Sequence, residues 1–101
     1  MNLNRTIKLN RAIRQQMVAR AEQAWLRQNP RPTMGVAPTG MQLRSLDNWK
    51  RGRAALKVNF LNALDTFKSV NELAELWPTA LKFVPDYLVD PEKHFDLPEA
   101  A

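Results

Sequence analysis

Ser45-Leu46-Asp47-Asn48-Trp49-Lys50-Arg51-Gly52-Arg53-Ala54-Ala55-Leu56-Lys57-Val58-Asn59-Phe60-Leu61-Asn62-Ala63-Leu64-Asp65-Thr66-Phe67 is the longest periodic stretch of the chain. Trp49, Leu56, Phe60, Ala63, Leu64 and Phe67 recur at threes, fours and sevens, the spacing of one face of a helix. Ala54, Val58 and Leu61 form a second set on an adjacent face. An apolar surface this wide is normally covered by more than one neighbour, so the stretch is expected to be the central element of the core. Gly52 inside it costs about 1 kcal/mol relative to alanine and marks either a close helix crossing or a bend.

Upstream, residues 29–40 hold three prolines and two glycines and read as a connector that continues neither flanking element. Before the connector, Asn10 is a good N-cap, and Ile13, Met17, Ala21 and Trp25 follow at four-residue intervals with Val18 and Ala24 beside them. That helix should end at Asn29, because Pro30 disfavours helical backbone in the residue before it. Downstream, Ser69-Val70-Asn71-Glu72 has the form of a capping box opening a third helix, with Leu73, Leu76 and Trp77 facing inward. Pro78 ends that helix or starts a further turn over residues 79–84. Leu3, Ile7 and Leu9 permit a short strand or an extended arm. The expected fold is mainly all-α: a small bundle of three helices with a Pro/Gly-rich connector and an irregular acidic C-terminal tail. Residues 1–85 form the helical domain and residues 86–101 the tail, with Tyr87, Leu88, Phe95 and Leu97 as its anchors.

Charge divides the chain. Residues 1–57 hold twelve Lys/Arg against two acids, Glu22 and Asp47, whereas residues 58–101 hold three lysines against eight acids. The net charge is +5, but the asymmetry points either to an anionic partner for the first half or to internal complementarity between the halves. Chemistry is sparse. There is no cysteine, and His94 is the only histidine, with no nucleophile signature around it. Asp86, Asp90, Glu92 and Asp96 lack calcium-loop spacing, and no glycine-rich phosphate loop is present. No enzyme, metal or cofactor is therefore expected. No apolar run approaches the roughly 18 residues of a membrane span, and Met1 to Lys8 carry no apolar signal core. A cytoplasmic protein that does not engage membranes is expected.

The basic half supplies the candidate site. Lys50, Arg53 and Lys57 share one helical stripe, Arg51 flanks it, Arg20 lies on the first helix, and Arg11 with Arg14 sits at that helix's start. Arg31 and Arg44 add charge in and after the connector. Trp25, Trp49 and Phe60 fall on the apolar stripes, which argues against a platform for stacking single-stranded bases. The partner is expected to be nucleic acid or an acidic protein surface.

Two stretches carry a resemblance. Leu9-Asn10-Arg11-Ala12-Ile13-Arg14, and the run from Phe67 through Ser69-Val70-Asn71-Glu72 and Trp77-Pro78 to Pro85, resemble the opening and closing segments of the phage-encoded nucleotide-modification-associated domain family of the fifth type. Thr79 stands where that family carries an acid. The resemblance implies a bacteriophage accessory protein acting near phage or host DNA in a bacterial cytoplasm. It supplies neither a reaction nor site residues. The expectation is a non-enzymatic protein binding nucleic acid or a nucleoprotein through Arg11, Arg14, Arg20, Lys50, Arg51, Arg53 and Lys57. An inhibitor or adaptor docking on a bacterial host protein, or a virion component, is the alternative.

Overall fold

The computed structural model describes residues 6–89, and every regular element among them is helical. In order these are α1 (Arg11–Gln28), α2 (Gly40–Leu64), α3 (Val70–Leu76), a 3-10 segment (Pro78–Phe83) and a single closing turn, α4 (Asp86–Val89). Predicted anchors Phe95 and Leu97, His94 and the acids beyond Asp86 lie outside the described residues. The first four residues assigned to the tail are α4, whose Leu88 packs against the core.

α1 begins and ends where capping chemistry places it. The Asn10 side chain accepts from the Ile13 N–H at 2.9 Å, and the Asn29 N–H returns to the Trp25 carbonyl at 2.8 Å. α2 starts five residues earlier than the apolar pattern predicts. Thr39 Oγ1 accepts from the Gln42 N–H at 3.2 Å, while the Gln42 side chain accepts from the Thr39 N–H at 2.9 Å. This reciprocal box carries the helix back through Gly40, and the connector shrinks to residues 29–39. At α3, Ser69 Oγ accepts from the Glu72 N–H at 3.0 Å, but the Glu72 carboxylate reaches the Lys68 N–H rather than that of Ser69, at 3.3 Å.

α1 and α2 form an antiparallel hairpin. Asn29 meets Trp49, Trp25 meets Gly52, Glu22 meets Arg53, and Arg14 meets Asp65, so numbers rise on one helix as they fall on the other. The Trp25 ring lies over Gly52, where a Cβ would stand 3.1 Å from Trp25 Cζ2. The absence of a side chain at Gly52 leaves room for the Trp25 ring of α1.

The buried core gathers at one end of the hairpin. Ile13, Met17 and Ala21 of α1, Phe60 and Leu64 of α2, and Leu9, Val70, Leu73, Ala80 and Val84 close it. Phe60 sits 5.5 Å from both Trp77 and Phe83, and Phe67 stacks on Trp77 at 6.1 Å. The arm at Ile7–Leu9 is extended and pairs with the entry to α3. The Leu9 N–H donates to the Lys68 carbonyl at 3.0 Å and the Val70 N–H to the Ile7 carbonyl at 2.8 Å.

Two packing expectations fail. α2 is not wrapped on both faces: Leu43 (53% exposed), Val58 (57%), Leu61 and Ala54 lie in the open, because α1 covers one face and α3 meets only the C-terminal end. Leu76 is 65% exposed. Val70, Leu73 and Trp77 define the inward line of α3, and Leu76 lies roughly a quarter-turn away from it at about 100° per residue.

Gly52→Val forces β-branched bulk against the Trp25 ring, and overpacking of this kind costs about 1–3 kcal/mol. A lowered urea-unfolding midpoint is expected; an unchanged midpoint would show that Trp25 yields without loss.

Candidate functional site

The polar centre of the hairpin is Glu22, the only acid in the first 46 residues. α1 turns it toward α2, where its Oε2 accepts from Arg53 Nε at 2.6 Å and lies 3.7 Å from Lys57 Nζ. Only 12% of its side chain is exposed. The Arg53 hydrogen bond, reinforced by the charges of Arg53 and Lys57, holds the Glu22 carboxyl below its ordinary value of 4.5 against the opposing effect of burial.

Beside this carboxylate lies a shallow, open cleft of about 410 Å³ lined by Glu22, Arg31, Trp49, Lys50, Arg53, Ala54 and Lys57. Four cations thus face one acid. Arg31 arrives from the connector and the other three from successive turns of α2. The Trp49 indole is fixed in the cleft wall. Its Nε1–H donates to the Asn29 carbonyl at 2.7 Å, and its ring lies 6.1 Å from that of Trp25 at a tilt of 41°. The guanidinium carbons of Arg53 and Arg31 stand 5.5 and 5.9 Å from the Trp49 ring centre, within cation–π range.

Of the seven residues singled out from sequence, Lys50, Arg53 and Lys57 meet in this cleft. The other four go elsewhere. Arg11 is exposed at the start of α1. Arg14 is partly buried, donating to the Leu9 carbonyl at 2.7 Å and pairing with Asp65 at 3.4 Å. Arg20 donates to the Val84 carbonyl at 3.2 Å and lies 3.9 Å from Asp86. Arg51 pairs with Asp47 on the outer side of α2, at 3.0 Å. Helical geometry makes this division. Arg51 is one residue, or about 100°, from Lys50, and Arg20 stands on the side of α1 away from Glu22. Sequence reasoning left Trp49 to the core and Arg31 to the connector. The signal for Trp49 was its position one residue before Lys50 and four before Arg53, which puts ring and cations on neighbouring turns.

A larger groove of about 630 Å³ runs along the other side of α1, between Arg20, Gln23, Arg27 and Gln28 and the 3-10 residues Lys82 and Phe83. No carboxylate lines it, yet Arg20 is engaged with Val84 and Asp86. Lys82 stands 5.0 Å from the Phe83 ring centre there, but only one cation meets that ring, whereas Arg31 and Arg53 both meet Trp49. The smaller cleft is the better-organised site. Among the described residues no group of three His, Cys, Asp or Glu is placed to hold a metal ion, and no helix is long and apolar enough to cross a membrane. Comparison with protein-family models, curated proteins and solved structures finds no match to this chain.

Because the folded state lowers the Glu22 pKa, the stability this carboxylate contributes is present above its ordinary value of 4.5 and is lost as pH falls through the folded value. The native protein should lose thermal stability on acidification below 4.5 more steeply than Glu22→Gln, which is expected to be less stable at neutral pH. Parallel pH profiles for the two proteins would sink this assignment.

Proposed function

We propose that this chain is a non-enzymatic binding protein for nucleic acid, contacting phosphates through the cleft between α1 and α2. The observation that carries the reading is the convergence of Arg31, Lys50, Arg53 and Lys57 on one cleft that contains a single carboxylate. Guanidinium groups match phosphate oxygens with paired donors, and ammonium groups add charge without demanding direction. Arg11, Arg14, Arg20 and Arg51 remain proposed contacts of a second kind. Spread around the hairpin, they steer a polyanion toward the cleft rather than grip it there. The resemblance of Leu9–Arg14 and of residues 67–85 to a phage domain family supports a setting: a bacteriophage accessory protein at work in the cytoplasm of a bacterial host. Binding rather than catalysis is favoured because the best-placed acid, Glu22, is held ionised by Arg53 and is poorly suited to proton transfer near neutral pH.

A second reading has its own observation. The outer face of α2 exposes Leu43, Val58 and Leu61, and Met41 is exposed near the tip of the hairpin. A host protein docking there would make the chain an inhibitor or adaptor. Recovery of one stoichiometric partner that survives nuclease treatment would favour it.

Titration of a labelled oligonucleotide at two salt concentrations tests the first reading. Affinity should fall steeply with salt, and Lys50→Ala and Lys57→Ala should each flatten the logarithmic salt slope by roughly one unit. Glu22→Gln, which removes the competing carboxylate, should tighten binding several-fold even as it weakens the fold. Absence of binding at low salt would remove the proposal.

A further inference from the structure

We infer that the cleft takes single-stranded rather than duplex nucleic acid, with an unpaired base entering the stack of Trp49 and Arg31 while neighbouring phosphates meet Lys50 and Lys57. The inference rests on the nucleic-acid reading of the cleft and deepens it. Three features of the site point the same way.

First, the cations border the ring. Lys50, Arg53 and Lys57, with Arg31, line one shallow cleft beside Trp49, so a single strand lying across it meets the ring and the cations together. The outward face of α2, which would have to enter a groove of duplex DNA, presents Leu43, Asp47, Val58 and Leu61 rather than a row of base-reading side chains.

Second, the ring is held in place before any ligand arrives. The bond from Trp49 Nε1 to the Asn29 carbonyl fixes the indole, and Trp25 braces it from α1. Gly52 helps make room for Trp25, since a Cβ there would stand 3.1 Å from Trp25 Cζ2. A base that stacks on a fixed ring orders little else on binding. Trp49 is also only partly buried.

Third, Arg31 has no carboxylate partner among the described residues, and its described contact is the Trp49 ring itself. A guanidinium plane stacks on bases as readily as on indole, so Arg31 extends the aromatic layer toward solvent. Stacking of this type tolerates every base, because each has a π-face. The site is therefore expected to hold single strands with little sequence preference.

The test compares a short labelled oligothymidylate with a duplex of equal length at one low salt concentration, using the native chain, Trp49→Leu, Trp49→Phe and Arg31→Gln. The native chain should bind the single strand more tightly. Trp49→Leu should weaken single-strand binding by about fivefold to a hundredfold, the range for loss of one base stack, with much less effect on any duplex binding. Trp49→Phe should fall between the two. Arg31→Gln, at an exposed connector position, should lower the preference for single strands without changing the melting temperature, so a folding defect in Trp49→Leu leaves the question decidable. Equal affinity for both ligands, or a preference untouched by Arg31→Gln and Trp49→Phe, overturns the inference while phosphate binding stands. Failure of either ligand to bind at low salt overturns both.

Discussion

The outer half of the helical hairpin is held by a carboxylate, not by a core. The residues buried most completely, among them Met17, Leu64, Leu73, Val70 and Val84, all sit where α3 and the 3-10 segment close over α1 and the end of α2. Beyond Ala21 and Phe60 the contacts between the two long helices include Glu22 with Arg53 and Lys57, the tilted Trp25–Trp49 pair, the Trp49 hydrogen bond to the Asn29 carbonyl, and the Trp25 ring over Gly52. A partly buried ion pair must offset the desolvation of its members, and a hydrogen bond as short as 2.6 Å does so better than a loose contact. The clasp and the candidate site are therefore the same residues. Whatever binds in the cleft competes for groups that also hold the helices together.

The charge pattern that stands out in the sequence takes a different form in three dimensions. A surplus of ten positive charges over the first 57 residues suggests one basic face. The fold instead distributes those charges around two helices and gives several of them local carboxylates: Asp65 for Arg14, Asp86 for Arg20 and Asp47 for Arg51. Of the two alternatives, internal complementarity between the halves is realised by Arg14 with Asp65 and Arg20 with Asp86. What remains concentrated is the cleft.

Local chemistry was legible where it was self-contained. Asn10, the stripe from Ile13 to Trp25, and the Asn29-Pro30 stop define α1 without reference to anything distant. Lys50, Arg53 and Lys57 were legible as one stripe for the same reason, since spacing along a helix fixes which side chains are neighbours. The start of α2 was obscured by Pro38 and Gly40, which read as loop residues although Thr39 and Gln42 form a capping box around them. The place of Trp49 was legible only in part. Periodicity shows that it faces α1, but not that α1 ends near it and leaves its ring at the rim of a cleft among cations. Leu76 and the outer face of α2 were misjudged similarly, because an apolar residue on a stripe is buried only if some other element reaches it.

The pairing of Ile7–Leu9 with Lys68–Val70 joins segments about sixty positions apart. Loop-closure entropy makes such a contact a poor starting point for folding, whereas each long helix and the turn between them can organise from nearby residues. Because Leu9 and Val70 belong to the buried core, this short extended strap closes that core as well as joining distant parts of the chain.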